Sequence, residues 1–153
     1  MPACVPPAET APHAGRYHGP GDPWPLYGAL DEATIWAEWA HATGGAVRPA
    51  DDPRWRCVFE AELAVLDLRD DATRAALGVS LDELVAPWSP DRPNAACRRV
   101  LAAALAAGAD AIIVPSAARG GGWSIDVLPA AFGRLRLRSR EEVTPAPPPD
   151  PAG

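Results

Sequence analysis

Four polar side chains of different types stand out along this chain by their chemistry and their spacing. Arg16 is followed eleven residues later by Tyr27 and eleven residues after that by Glu38, and Ser116 lies far downstream. A guanidinium grips a phosphate through two parallel hydrogen bonds, and a phenol stacks on a flat ring. A fixed carboxylate near a ribose carbon stabilises the oxocarbenium-like transition state when a glycosidic bond breaks. Together these groups favour an enzyme that binds a phosphate-bearing nucleoside.

The segments around Arg16 and Glu38 predict how each side chain is held. Arg16 lies in a stretch rich in glycine and proline, residues 15–25, where the backbone can approach a ligand closely. Asp31 is a suitable N-cap for a helix over residues 32–42, which carries Glu38 at the edge of its apolar stripe. The pattern therefore predicts a partly desolvated carboxylate.

Ser116 follows a short apolar strand, residues 111–114, and then Pro115. A hydroxyl at the end of a strand can orient a carboxylate or contact a substrate. Arg119 stands beside three consecutive glycines and offers a second phosphate contact, although a solvated loop arginine is an equally good interpretation. Each candidate residue, taken alone, can equally be an ordinary solvated or core side chain with no role in binding. Only their combination supports a site.

Composition and charge exclude several classes of function. The 153 residues fit one domain, and the net charge of -6 argues against direct nucleic-acid binding, which calls for a basic surface. All fourteen basic residues are arginine, so Schiff-base catalysis by lysine is excluded. No apolar run reaches the roughly 18 residues that span a membrane. The first fourteen residues lack the basic start and apolar stretch of a secretory signal, which predicts a cytoplasmic protein.

Neither the histidines nor the cysteines have the spacing of a metal site. The cysteines are also odd in number and far apart, so the sequence predicts no disulfide framework. We therefore predict no bound metal. The residues concerned are His13, His18 and His41, and Cys4, Cys57 and Cys97.

Periodicity and capping signals predict a mixed α+β fold. Because helices and strands do not alternate strictly, one domain with a central, partly antiparallel sheet flanked by helices fits better than a doubly wound parallel sheet. The segments at 55–60 and 63–68 are either two strands or one long bent strand. The other predicted elements are helices over 32–42, 71–77, 81–86 and 95–107 and strands over 111–114, 124–128 and 134–138.

Composition also predicts the organisation of the chain. The first fourteen residues, 1–14, are rich in proline and small residues, and we expect a flexible segment. The tail, 144–153, is again rich in proline, and we expect it to be disordered. The folded domain is predicted to span residues 15–143.

Three short motifs follow one another along the chain. They are Gly15-Arg16-Tyr17 leading to Leu26-Tyr27, then Trp36-Ala37-Glu38, and finally Pro115-Ser116-Ala117-Ala118-Arg119 running through Gly122-Trp123 to Leu128-Pro129. With these motifs, residues 15 to 138 resemble the RES domain, the toxin component of bacterial type II toxin-antitoxin pairs. The antitoxin of such pairs is a Xre-type helix-turn-helix protein.

The resemblance implies a fold like that of ADP-ribosyltransferases and an enzyme that consumes NAD. The nicotinamide-ribose bond would be cleaved by phosphorolysis or hydrolysis, with inorganic phosphate or water as the acceptor. The resemblance also implies neutralisation by a Xre-family antitoxin. Carried over, Arg16 would hold the NAD phosphates and Tyr27 would stack near the nicotinamide. Glu38 would contact the nicotinamide ribose and stabilise the cation, and Ser116 would position the dinucleotide or the glutamate. Tyr17 and Arg119 are further residues that we expect to bind the dinucleotide.

Two other functions stay open at this point. The acceptor can be a protein side chain, which would make the chain a protein ADP-ribosyltransferase. Alternatively, the chain is a degenerate, noncatalytic domain that binds an antitoxin. One departure from the family motivates this alternative, since no arginine precedes Arg16. A second departure concerns substrate contacts: Ser124 stands where the family often has asparagine, which replaces an amide by a shorter hydroxyl.

Overall fold

A computed structural model of the chain describes residues 10–43 and 54–143. Its strands are β1 (Leu26–Ala29), β2 (Arg54–Glu60), β3 (Val65–Asp67), β4 (Ala111–Pro115), β5 (Trp123–Val127) and β6 (Arg136–Val143). Its helices are α1 (Glu32–Thr43), α2 (Asp71–Leu77), α3 (Leu81–Val85) and α4 (Ala95–Ala107), with a 3-10 helix at Pro129–Arg134. The predicted α+β class is confirmed.

The described strands form two sheets. The larger one has the order β1-β5-β4-β3, in which only the β3–β4 pair is parallel. Strands β2 and β6 pair with each other as a separate antiparallel sheet, with an irregularity between Val58 and Phe59. The predicted partly antiparallel sheet is therefore present, but β2 and β6 do not belong to it.

Local capping explains why the helices begin where they do. The Asn94 side chain accepts from the Cys97 amide at the start of α4, and Ser80 forms a reciprocal capping box with Glu83 at α3. Asp31 accepts from the amide and the hydroxyl of Thr34, both at 2.8 Å, at the start of α1. These contacts satisfy amides that have no partner within the helix.

The main core lies between α3, α4 and one face of the larger sheet. Leu84, Val100 and Ile112 are fully buried there, and Val114 and Leu128 pack with them. Burying a side chain of this size contributes roughly 1.5–3 kcal/mol. A smaller cluster on the opposite face includes Ala111, Val127 and Ala131. The larger sheet is thus covered on both faces, and α1 packs against β1 and β5.

Three sequence expectations differ from the structure or lie outside it. Cys57 is disulfide-bonded, so the expectation of no disulfide is wrong at that residue, whereas Cys97 is a buried free thiol. Within the segment 1–14, residues 10–14 are described, and Ala11 is buried, with its amide donating to Asp22. Residues 1–9 and the predicted tail, 144–153, lie outside the described residues.

Candidate active site

A cleft of about 700 Å³ opens where α1, β1, β5 and the segment before β1 meet. Its lining combines several aromatic rings with a small number of polar groups, as binding sites for flat organic ligands commonly do. The polar side chains that line it include Arg16, His18, Tyr27, Glu38, Ser124 and Asp126. Trp24, Trp39 and Trp88 form part of the walls.

Two serine hydroxyls hold the Glu38 carboxylate. The Oγ of Ser116 donates to Oε1 of Glu38 at 2.5 Å, and the Oγ of Ser124 donates to the same oxygen at 3.4 Å. Ser116 is 5% exposed, directly after β4, and Ser124 is 9% exposed in β5. A side chain on α1 is therefore fixed by two separate parts of the larger sheet, which leaves its second oxygen for other contacts.

The turn after β4 explains the position of Ser116. Its hydroxyl accepts from the amides of Ala118 and Arg119 at 3.2 and 3.0 Å, while its own amide donates to Gly122 at 2.9 Å. A Cβ at Gly122 would lie 2.5 Å from the hydroxyl oxygen of Thr34, so the turn and α1 approach too closely for a larger residue. Glycine at this position allows the strand end and the helix to meet.

Arg16 lies on the same cleft, half-buried. One guanidinium nitrogen, Nη1, donates to the carbonyls of Leu84 and Ala86 at 3.2 and 2.6 Å, at the end of α3. Within the two described segments, no carboxylate forms an ion pair with Arg16. The side chain is thus anchored by neutral acceptors and keeps its positive charge available for an anion.

Tyr27 of β1 is paired with a buried histidine. Its hydroxyl lies 2.5 Å from Nδ1 of His18, and the two ring centroids are 5.7 Å apart. Burial, followed by the charge of Arg98, lowers the pKa of His18. A Cβ on Gly15 would overlap both the His18 ring and the Tyr27 hydroxyl. The glycine before Arg16 therefore makes room for the pair that orients Tyr27.

Two other predicted site residues are placed differently. Tyr17 lines the cleft, but it is 3% exposed and belongs to the main core cluster, so most of its surface packs inside the protein. The Arg119 guanidinium lies at the start of α1, 3.3 Å from the Thr34 hydroxyl and 3.7 Å from Asp31, and is not among the groups that line the cleft. The structure places Arg16, Tyr27 and Glu38 on the cleft, with Ser116 hydrogen-bonded to Glu38 from behind, and leaves Arg119 beside the cleft.

Three residues of the cleft were missed as site residues from the sequence. The sequence predicts no role in the site for His18 or Asp126, and Ser124 stands out only as a departure from the family pattern. In the structure, Asp126 is 2% exposed and lines the cleft beside Ser124. One signal was present: Ser124 and Asp126 alternate with apolar residues in a buried strand, and alternation places both on one face.

Other kinds of site are not indicated by the described residues. Within residues 10–43 and 54–143, no three side chains of the metal-binding types cluster together. None of the helices in these two ranges is long and apolar enough to cross a lipid bilayer.

The family model for the RES domain matches residues 4–146. The chain belongs to the RES domain family. The matched range begins before and ends after the predicted domain, 15–143, so the family's domain takes in more of the chain than the motifs suggested. The resemblance inferred from those motifs is confirmed.

The chain is also similar to a curated protein and to a solved structure, both of Mycobacterium tuberculosis. A protein of Mycobacterium tuberculosis named probable NAD(+) phosphorylase is 34% identical over 142 residues, which cover 92% of this chain and 66% of that protein. The chain thus spans just under two thirds of that relative's length. A crystal structure of the MbcT-MbcA toxin-antitoxin complex of M. tuberculosis matches with a TM-score of 0.66 at 25% identity, over 86% of this chain and 72% of the matched chain.

Proposed function

We propose that this RES domain cleaves the nicotinamide-ribose bond of NAD and is the toxin of a toxin-antitoxin pair. The observation that carries the proposal is the Glu38 carboxylate, held in an aromatic-lined cleft by Ser116 and Ser124. The similarity to a protein named probable NAD(+) phosphorylase supports the substrate. The similarity to a chain of the MbcT-MbcA complex supports the toxin role.

The geometry suggests a role for each group. Arg16 binds the pyrophosphate, because its charge has no carboxylate partner among the described residues. Tyr27, held by His18, packs against the nicotinamide ring. Glu38 faces the nicotinamide ribose and stabilises the positive charge that develops at its anomeric carbon as nicotinamide leaves. Ser116 positions Glu38.

The acceptor completes the reaction. In phosphorolysis, a phosphate oxygen bonds to the anomeric carbon while the carbon-nitrogen bond breaks, which yields nicotinamide and ADP-ribose 1″-phosphate. In hydrolysis, water takes the place of phosphate and the product is ADP-ribose. We favour inorganic phosphate, because the similar protein of M. tuberculosis is named a phosphorylase.

The partner that we propose is a Xre-family antitoxin in the cytoplasm. The net charge of -6 supports a division of labour in which the antitoxin, and not this chain, contacts DNA. Co-purification with a helix-turn-helix protein encoded beside this chain tests the partner.

Arg119 is not assigned to the dinucleotide, since its guanidinium already contacts Thr34 and Asp31 at the start of α1.

Nicotinamide release tests the enzyme activity. The purified chain is incubated with NAD in phosphate buffer and in phosphate-free buffer. The products are then separated by chromatography and identified by mass spectrometry. In phosphate buffer, we expect nicotinamide and ADP-ribose 1″-phosphate in equal amounts. If ADP-ribose is the only product besides nicotinamide, the reaction is hydrolysis and not phosphorolysis. ADP-ribose attached covalently to a protein would indicate a protein acceptor. No release of nicotinamide at high enzyme concentration would refute the proposal and favour the noncatalytic alternative.

A further inference from the structure

A buried carboxyl group on the floor of the cleft takes no part in the contacts described above. Asp126 in β5 is 2% exposed, and its Oδ2 atom has no hydrogen-bond partner within the described residues. Most buried polar atoms of folded proteins are paired, so an unpaired one in a cleft requires an explanation. One explanation is a bound ligand that forms the missing hydrogen bond with Asp126.

The surroundings of Asp126 favour its neutral form. Burial, followed by the nearby charge of Glu38, raises the pKa of Asp126 to about 8. The other titratable groups that interact with Asp126 are Tyr27 of β1 and Tyr17 before β1, and burial raises the pKa of each. Below about pH 8, the Asp126 carboxyl therefore offers one O–H donor and one carbonyl acceptor side by side.

The register of the sheet places this group beside the proposed ring site. Asp126 lies directly opposite Tyr27 in the β1–β5 pair, and opposite residues on one sheet face have neighbouring side chains. Ser124, which reaches Glu38, is two residues along the same strand and hence on the same face. Two such positions are about 7 Å apart, which is the scale of a nicotinamide ring with its carboxamide.

We infer that the Asp126 carboxyl group recognises the carboxamide of nicotinamide through a pair of hydrogen bonds, while Glu38 faces the ribose at the other end of the ring. This inference rests on the proposed NAD substrate. A primary carboxamide presents an N–H donor beside a carbonyl acceptor, which is the complement of a neutral carboxylic acid. Asp126 is thus a specificity-determining residue for the leaving group.

Substrate analogues test this assignment. In 3-acetylpyridine adenine dinucleotide, a methyl ketone replaces the carboxamide, so the acceptor is kept and the donor is lost. We expect kcat/KM for NAD to exceed that for the analogue by about tenfold or more in the unchanged protein, because polar sites reject substrates that leave a buried group unpaired. In the Asp126→Leu variant, the ratio of kcat/KM for NAD to kcat/KM for the analogue should fall close to one. Asp126→Asn, whose amide also has a donor and an acceptor, should keep it.

The outcomes separate this inference from the proposed function. If the unchanged protein releases no nicotinamide from NAD, the proposed function fails. If it cleaves NAD but the Leu variant keeps the original preference, or the Asn variant loses it, only the role of Asp126 is refuted. Should the Leu variant not fold, the pH profile decides: kcat/KM for NAD should fall above about pH 8 in the unchanged protein and stay level in Asp126→Asn. Equal profiles would overturn the inference.

Discussion

The two faces of strand β5 serve different purposes. On one face, Ser124 and Asp126 are buried and reach the cleft that holds Glu38. On the other, Ile125 and Val127 line an apolar groove of about 830 Å³ between the larger sheet and the β2–β6 pair. A single strand thus gives a polar reaction site on one side and an apolar surface on the other, because successive side chains alternate in direction.

Charges are also handled differently on the two sides. Near the groove, Arg56 lies 2.6 Å from Glu32 and 2.5 Å from Glu141, and Arg138 pairs with Glu60, all at the exposed surface. In the cleft, Glu38 is held by neutral hydroxyls. Exposed ion pairs contribute little to stability, whereas a half-buried carboxylate oriented by hydroxyls is suited to chemistry. We therefore expect substitutions in the cleft to change turnover and those at the groove to leave it unchanged.

The largest effect is expected for Glu38→Gln. The amide keeps the shape but removes the charge that stabilises the ribose cation, so nicotinamide release should fall about 100- to 1,000-fold. Glu62→Gln, at an exposed position between β2 and β3, is the matched control and should keep full activity. If both variants retain activity, Glu38 does not carry the reaction.

Ser116→Ala should reduce kcat about tenfold, since it removes the shorter of the two hydrogen bonds to Glu38. Ser124→Ala removes the longer contact, at 3.4 Å, and should have a smaller effect. Steady-state kinetics of both variants measure the difference. The reverse order of effects would contradict the assignment of Ser116 as the main positioning residue.

Gly15→Ala tests the paired rings at the cleft entrance. The added Cβ would overlap His18 and Tyr27, so one ring must move, at a cost of about 1–3 kcal/mol in unfolding free energy. Activity should fall severalfold because Tyr27 is displaced. Gly133→Ala adds a Cβ with no atom within 4 Å and serves as the control. Denaturant unfolding and kinetics on both proteins measure the two effects, and equal behaviour would show that Gly15 is not tightly packed.

A stability measurement tests the buried state of Asp126 without any substrate. Its native pKa of about 8 lies above its ordinary value of 3.8, so as the pH rises the unfolded chain loses this proton first. The contribution of Asp126 to the free energy of unfolding is therefore complete below about pH 4 and is lost by about pH 8. Compared with Asp126→Asn, the unchanged protein should lose stability over this interval. A constant difference between the two would show that Asp126 is ionised in the native state.

The smallest effect is expected at the groove. Arg56→Gln breaks contacts with Glu32 and Glu141 at the exposed surface, so Tm should change by a few degrees at most and less at high salt. Nicotinamide release should not change. A large loss of activity would mean that the two faces of the sheet are coupled.

Local signals allowed most helices to be predicted. The caps Asn94 and Ser80 act within a few residues of the helices that they start, and α3 and α4 begin where these residues predict. The four-residue strand β1 was missed, because a short segment with Gly28 becomes a strand only through its pairing with β5. The separate β2–β6 sheet likewise depends on pairing between residues more than seventy positions apart.

The candidate site shows the same limit. Residue types and spacing singled out Arg16, Glu38 and Ser116, and the structure brings these three to one cleft or its edge. Alternation in β5 places Ser124 and Asp126 on one face, but the burial of Asp126 depends on the pairing of β5 with β1 and β4 and on the packing of α1, which the residues of β5 alone do not show. Nor could the Arg119 contacts with the start of α1 be read from the turn in which Arg119 lies.

The most direct test of the central claim is a crystal structure of the Glu38→Gln variant with NAD. We expect one dinucleotide in the cleft, with the nicotinamide ribose against residue 38, the ring beside Tyr27 and the pyrophosphate at Arg16. NAD bound in the apolar groove on the other face of β5, or in the cleft with its ribose far from residue 38, would contradict it.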